Sequence, residues 1–329
     1  MAYSLGFFAY LSLKIRATLL RIVFTLQNRR AFRQDQLLAA QIPVTKQRVR
    51  IPSRDPGRFI VADVYYPPSL SNSPTAVPVL VNWHGSGWVL PYHGSDTLFC
   101  AQVAQQANIV VVDADYRKAP EHPHPAIFHD VEDTLRWVGS KTPSSASSSS
   151  SSAALPRFDT IRVAVSGFSA GACEALIAGS VLRKALSHLL TIVAIVAVYP
   201  ATDLTLPSAA RTVPRPVNPL PSFMLDLFTD SYVPDPSQRT DPRASPAHVP
   251  EEEFAGVVVV VTADGDTLAP EAEALAKKLD VKGRRVVLKE VKGVGHGFDK
   301  GGVEGGRERK AREGAYEVAV EELRRALET

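Results

Sequence analysis

Ile161-Arg162-Val163-Ala164-Val165-Ser166-Gly167-Phe168-Ser169-Ala170-Gly171 reads as an apolar strand running into a Gly-x-Ser-x-Gly turn, and a helix-compatible stretch follows. A serine presented as a nucleophile must project from a sharp strand-to-helix turn, where flanking side chains would collide. Gly167 and Gly171 remove those side chains. The turn also sets Ser169 at a helix N-terminus, whose dipole favours developing negative charge. This strand–turn–helix setting separates the motif from a chance Gly/Ser loop, so Ser169 is the candidate nucleophile.

Outward from this point, strand-like and helix-like segments alternate. The strand candidates are Lys46–Ile51, Phe59–Tyr66, Val77–Trp83, Ile109–Ala114, Ile161–Ser166, Ile192–Tyr199, Val257–Thr262 and Arg285–Val291. Several are apolar throughout, as in Val257-Val258-Val259-Val260-Val261, which suits central strands buried on both faces. The helix candidates are Asp96–Ala107, Pro125–Gly139, Ser169–Leu190, Pro270–Leu279 and Val303–Leu327. Such alternation predicts an α/β fold with a mostly parallel sheet flanked by helices. The short Ser53–Gly57 connection predicts an antiparallel start. Two segments break the rhythm. Residues 144–152 are almost all Ser and read as a flexible surface loop. Residues 201–250 are Pro-rich, with one helix candidate at Ser222–Tyr232, and are too long for a simple connection.

Four further groups bear on chemistry. His84-Gly85-Ser86-Gly87-Trp88 follows the strand ending at Trp83, and small residues there let backbone N–H groups face a substrate oxyanion. Ser86, Gly87 and Ala170 are the candidate donors. Among the histidines after Ser169, His188 reads as a helix-face residue and His248 falls in the Pro-rich stretch. His296 lies in a Gly-rich loop directly after the strand Val286–Val291, where an α/β sheet presents catalytic groups; it is the candidate base. After Val257–Thr262, Asp264 and Asp266 both offer an orienting carboxylate, and spacing alone does not separate them. In 113–122, Asp115, Arg117 and Glu121 read as a structural ion-pair cluster. His122, His124 and His129 are interrupted by Pro123 and Pro125, so no helical metal-ligand pair forms; no metal and no cofactor is expected.

The chain has 329 residues, 45% apolar and 22% charged, ordinary for one soluble α/β domain. Cys100 and Cys173 are too few for a disulfide framework and fit a reducing, cytoplasmic setting. The net charge of +3 is uneven. Residues 1–40 hold Lys14, Arg16, Arg21, Arg29, Arg30 and Arg33 against Asp35, or +5, which leaves −2 for the rest and gives nucleic-acid binding no support. Those cations interrupt an apolar segment running from Leu5 to Leu26. Lys14, Arg16 and Arg21 argue against a membrane span, and no compact uncharged core with a small-residue cleavage site marks a secretory signal. The segment reads as an amphipathic helix with two alternatives: packed on its own protein over the active site, or lying on a membrane surface through residues 1–33. The rest, 41–329, reads as a single catalytic domain.

Taken together, HGSGW (84–88), DYRKAPEHPHPA (115–126), GFSAG (167–171), DPRASP (241–246), DGDTLAPE (264–271) and GHGF (295–298) resemble the hormone-sensitive-lipase-like family of α/β hydrolases over roughly residues 77–300. The resemblance implies an α/β-hydrolase fold with an eight-stranded sheet and a helical cap made from the N-terminus and the 201–250 insertion. It implies a carboxylesterase working on a small-molecule ester, with Ser169 as nucleophile, His296 as base and Asp266, rather than Asp264, as the acid. His84, Gly85, Gly167 and Gly171 would support the motifs. An acyltransferase or lipase on the same site, or a non-catalytic small-molecule receptor, are the alternatives. Two positions depart from the family pattern: Ser86 where Gly is commoner, and Phe168 where a polar residue is common. Ser86 is expected either to narrow the acyl pocket or to add a hydrogen bond.

Overall fold

The computed structural model describes residues 6–141 and 155–328. The serine-rich stretch 144–152 lies outside the described residues. The eight strands are β1 (Thr45–Pro52), β2 (Phe59–Tyr66), β3 (Val77–Trp83), β4 (Val110–Ala114), β5 (Phe158–Phe168), β6 (Ile192–Val198), β7 (Val257–Ala263) and β8 (Arg285–Val291). They form one sheet in the order β1-β2-β4-β3-β5-β6-β7-β8. β2 pairs antiparallel with β1 and β4, and every other pairing is parallel. The antiparallel start arises from the short Ser53–Gly57 connection, in which Gly57 adopts φ 77°.

The all-apolar strands feed two cores, one per face. Val79, Val81, Val258 and Val260 enter one, while Leu80, Val259 and Val261 enter the other. The helices are α1 (Phe7–Ala39), α2 (Thr97–Ala107), α3 (Ala126–Gly139), α4 (Ala170–Ile177), α5 (Arg183–Ala185), α6 (Ser222–Tyr232), α7 (Ala269–Leu279) and α8 (Arg307–Glu328). α3, α4 and α7 cover the first face; α2 and α8 cover the second.

Three helices differ from the sequence expectation. The helix expected over 169–190 is α4 followed by a wider π turn, Ala178–Leu182, and then the short α5. Gly179 sits in that turn, where a Cβ would collide with Ile195 of β6. His188 consequently lies in an exposed turn rather than on a helix face. The last helix starts at Arg307 instead of Val303, because Gly301, Gly302 and Gly305 all take positive φ. The N-terminal segment is one 33-residue helix, and it is not amphipathic in the ordinary sense. Leu13, Ala17 and Ala39 are buried on its inner side, yet Phe8, Leu11, Ile15, Leu19, Ile22 and Leu26 are exposed on its outer side. No described helix is long and apolar enough to cross a membrane.

α1 is fastened to the body at both halves. Arg21 forks onto Glu121 at 2.8 and 2.6 Å and donates to the Val89 and Ala119 carbonyls. Near the other end the buried Asp35 accepts from Arg312 of α8 at 2.7 Å and from the Gly301 N–H at 2.8 Å. Breaking a buried pair strands a charge, which typically costs about 3–5 kcal/mol. Arg312→Met should lower stability by about that amount, read as a fall in the urea midpoint at unchanged slope.

Candidate active site

The turn that carries Ser169, the candidate nucleophile, is built from the motif's glycines. Ser169 takes φ 52° and ψ −117°, a conformation few side-chain-bearing residues adopt. A Cβ on Gly167 would overlap the Gly171 carbonyl, and one on Gly171 would overlap the Trp83 carbonyl of β3. The turn can therefore close only with glycine on both flanks. α4 starts at the next residue, Ala170.

His296 Nε2 lies 2.9 Å from Ser169 Oγ, and His296 Nδ1 lies 2.8 Å from Asp266 Oδ2. The second Asp266 oxygen accepts the Leu268 N–H at 3.0 Å, and the residue is 1% exposed. Asp264 has a different job: its Oδ1 accepts the Gly293 N–H at 2.6 Å, pinning the loop that carries His296. The Tyr199 ring packs 4.8 Å from the imidazole, and its hydroxyl donates to buried Asp299. The same loop is held further on by Lys300, which bridges Asp96 and Asp299 at 2.6 and 2.8 Å. Burial would lower the Lys300 pKa, but the two carboxylates outweigh it and raise it.

The loop 84–88 lies against β5, where a Cβ on Gly85 would come 3.0 Å from the Phe168 carbonyl. His84 is fully buried, stacked on Tyr116 at 4.7 Å, with Nε2 3.1 Å from Asp115. Gly87 takes φ 55° and leaves room for the Phe228 ring. The backbone N–H groups of Ser86, Gly87 and Ala170 have no hydrogen-bond partner among the described residues. The Ser86 hydroxyl adds a hydrogen bond: its Oγ lies 2.7 Å from Tyr116 Oη, which donates to the His84 carbonyl. Phe168 turns the other way, into the α2/α8 core against Phe99 and Tyr316.

A cavity of about 240 Å³ opens over Ser169 and His296. Its lining includes Phe24, Asn28 and Phe32 from α1 and Met224 and Phe228 from α6. The α1 contribution agrees with the reading of the N-terminal segment as a helix packed over the site. Asp115, Arg117 and Glu121 do not form the expected cluster. Asp115 pairs with His84 and Lys118, Arg117 with Asp55 and Asp130, and Glu121 with Arg21. The motif runs 115–126 and 241–246 do meet, with His124 Nε2 3.3 Å from Asp241, while Glu271 of the 264–271 run accepts the Thr202 N–H at 2.7 Å.

Glu174 is a residue that sequence reasoning passed over. It is fully buried in α4, and its Oε1 accepts from Trp88 Nε1 at 2.9 Å and Tyr232 Oη at 3.0 Å. Trp88 and Tyr232 stack at 4.5 Å. One carboxyl group thus joins α4, the 84–88 loop and α6.

The chain matches the model of the alpha/beta hydrolase fold family over residues 80–300. It is 31% identical over 243 residues to carboxylesterase NlhH of Mycobacterium tuberculosis, covering 71% of this chain and 70% of that protein. It is 28% identical over 280 residues to an ethyl acetate hydrolase of Pseudomonas putida, covering 83% and 82%. Its structure resembles that of EstE1, a thermophilic carboxylesterase cloned from a metagenomic library, with a TM-score of 0.72 at 27% identity over 92% and 97% of the chains. The chain therefore belongs to the alpha/beta hydrolase fold family.

Burial outweighs the two hydrogen bonds on Glu174 and raises its pKa from 4.5 to about 7. An acid whose folded value exceeds its unfolded one stabilises less as the pH rises between the two. Stability present below about 4.5 is therefore lost as the pH climbs to about 7. Glu271 and Asp113 are raised to about 7 as well, also through burial, whereas burial lowers His84, His122, His124 and His129, which act in the opposite sense. Glu174→Gln keeps the acceptor oxygen and removes one titration. Thermal melts across the window should show it losing less stability than the parent.

Proposed function

We infer that this chain is a serine carboxylic-ester hydrolase acting through Ser169, His296 and Asp266 on small apolar esters. The observation that carries the reading is the unbroken chain Ser169 Oγ–His296–Asp266, at 2.9 and 2.8 Å, on the floor of an apolar cavity. The names of the relatives, carboxylesterase and ethyl acetate hydrolase, support the same class.

In the proposed reaction His296 takes the Ser169 proton as Oγ attacks the ester carbonyl. The N–H groups of Ser86, Gly87 and Ala170, free of other partners, stabilise the oxyanion. His296 then protonates the departing alcohol, leaving an acyl-enzyme. A water that gives its proton to His296 attacks the acyl carbon; His296 passes that proton to Ser169 Oγ as the acyl–Oγ bond breaks, and the acid leaves. Asp266 fixes the imidazole tautomer and stabilises the imidazolium. The cavity of about 240 Å³ lies below the roughly 300–1,000 Å³ of drug-sized ligand sites, and this favours short- to medium-chain acyl groups.

Nitrophenyl esters of increasing acyl length test the reading. The rate should peak at short or medium chains. Ser169→Ala should lower kcat by about 10⁶-fold, and Asp266→Asn by about 10⁴-fold through loss of the correct tautomer. Asp264→Asn, which only loosens the Gly293 contact, should cost far less. A folded wild type silent on every ester would sink the proposal. Equal losses at Asp264 and Asp266 would sink the assignment of the acid.

The loop 84–88 supplies a separate check. Ser86→Gly removes the hydroxyl bond to Tyr116 and keeps the backbone N–H. If that bond positions the oxyanion donors, kcat should fall several-fold with KM nearly unchanged, since the loss is felt in the transition state.

A further inference from the structure

The outer face of α1 is an apolar surface that the proposed reaction leaves unused. Phe8, Leu11, Ile15, Leu19, Ile22 and Leu26 follow one another at intervals of three or four residues, so they share one stripe. The stripe runs about 27 Å along the helix. Every one of these side chains is exposed, from 40% at Leu11 to 84% at Phe8. A continuous apolar stripe of this size on a surface marks an interaction site.

The charges around it define the partner. Lys14 and Arg16 flank the stripe, and Arg29, Arg30 and Arg33 extend it; all five are exposed and form no ion pair among the described residues. The helix's one carboxylate, Asp35, is buried against Arg312. Apolar side chains bordered by unpaired cations match the interface of an anionic bilayer, where each cation near the surface contributes about 1 kcal/mol. On α6, which packs against α1, Phe223 is 66% exposed and adds a further apolar group.

The opposite face of the same helix reaches the site. Phe24, Asn28 and Phe32 line the cavity over Ser169. A helix is about 10 Å across, so a surface touching the outer stripe lies one helix thickness from the cavity wall. The buried Asp35–Arg312 pair, through Gly301, also ties α1 to the loop bearing His296.

We propose that the outer face of α1 docks on an anionic phospholipid surface, so that the site draws on small apolar esters dissolved in the lipid. The substrate part rests on the hydrolase reading above; the docking part does not.

The test uses the full chain carrying Ser169→Ala, so that binding is read without turnover. It is floated with vesicles of phosphatidylcholine alone and with vesicles in which about a third of the lipid is phosphatidylglycerol. The expected result is recovery with the anionic vesicles at least tenfold above that with the neutral ones, falling as salt is raised. Ile15→Asp/Ile22→Asp, changed only on the exposed face, should abolish recovery in both. Arg29→Gln/Arg30→Gln/Arg33→Gln should abolish the preference for anionic lipid. Thermal melts confirm that each variant is folded. Failure of the Ser169→Ala chain to float with anionic vesicles overturns the docking. So does gel filtration showing a dimer that Ile15→Asp/Ile22→Asp converts to a monomer, because a second copy would then cover the stripe. If docking holds, wild-type hydrolysis of a lipid-soluble ester should rise several-fold on adding anionic vesicles. A rate that stays flat, in an enzyme active on soluble esters, overturns the substrate part alone.

Discussion

Between the end of β5 and the first turn of α4 the chain bends at Ser169 into a conformation that costs a residue with a side chain about 1–3 kcal/mol. The surroundings hold it there. The Ser169 N–H donates to Val198 of β6 at 2.9 Å, and its carbonyl accepts from Cys173 at 3.1 Å, so sheet and helix each take one end of the bend. Gly171 lies so close to the Trp83 carbonyl that β3, β5 and α4 are locked in register. Because β3 also leads into the 84–88 loop, the contact that shapes the turn at Ser169 also sets the free N–H groups beside it. The sheet order, with β5 between β3 and β6, exists in space around this point.

Behind the turn, polar groups buried among apolar ones carry the positional information. Asn82 of β3 donates to Asp96 and Asp113 and accepts from Ser166 of β5. Asp96 passes to Lys300, and Lys300 to Asp299, which Tyr199 and Tyr316 also reach. Burial would push the Asp299 carboxyl up, but Lys300 and the two hydroxyls more than offset it and bring it below the usual range. Hydrogen bonds in such a buried network are electrostatically stronger than in water. The network fixes the loop after β8, and with it the His296 imidazole. Glu174 does the same on the other side by holding Trp88 and Tyr232 together.

The sheet and the strand-end positions of Ser169, His296 and the 84–88 loop were legible because they rest on local signals: all-apolar runs, glycines at fixed offsets, and loops directly after strands. Distant pairings were not legible. Spacing could not separate Asp264 from Asp266, since both follow β7 within two residues and only the path of the 293–296 loop decides which one faces the imidazole. The 113–122 run looked self-contained, yet its charges pair with Asp55, Asp130, His84 and Arg21, brought in from other elements. α1 was legible as a helix over the site, but the division of its apolar residues was not. Apolar residues on two opposite faces read, in one dimension, as a single apolar segment broken by cations, and only its docking over the cavity divides them into an inner and an outer set.

The account stands on Ser169 being a nucleophile activated by His296. The most direct measurement is intact-protein mass spectrometry after brief exposure to a fluorophosphonate, with the modified peptide located by digestion. One adduct per chain on the peptide carrying Ser169, absent in Ser169→Ala and much slower to form in His296→Ala, is the predicted result. An unmodified wild type, or an adduct on another serine that persists in Ser169→Ala, would contradict it.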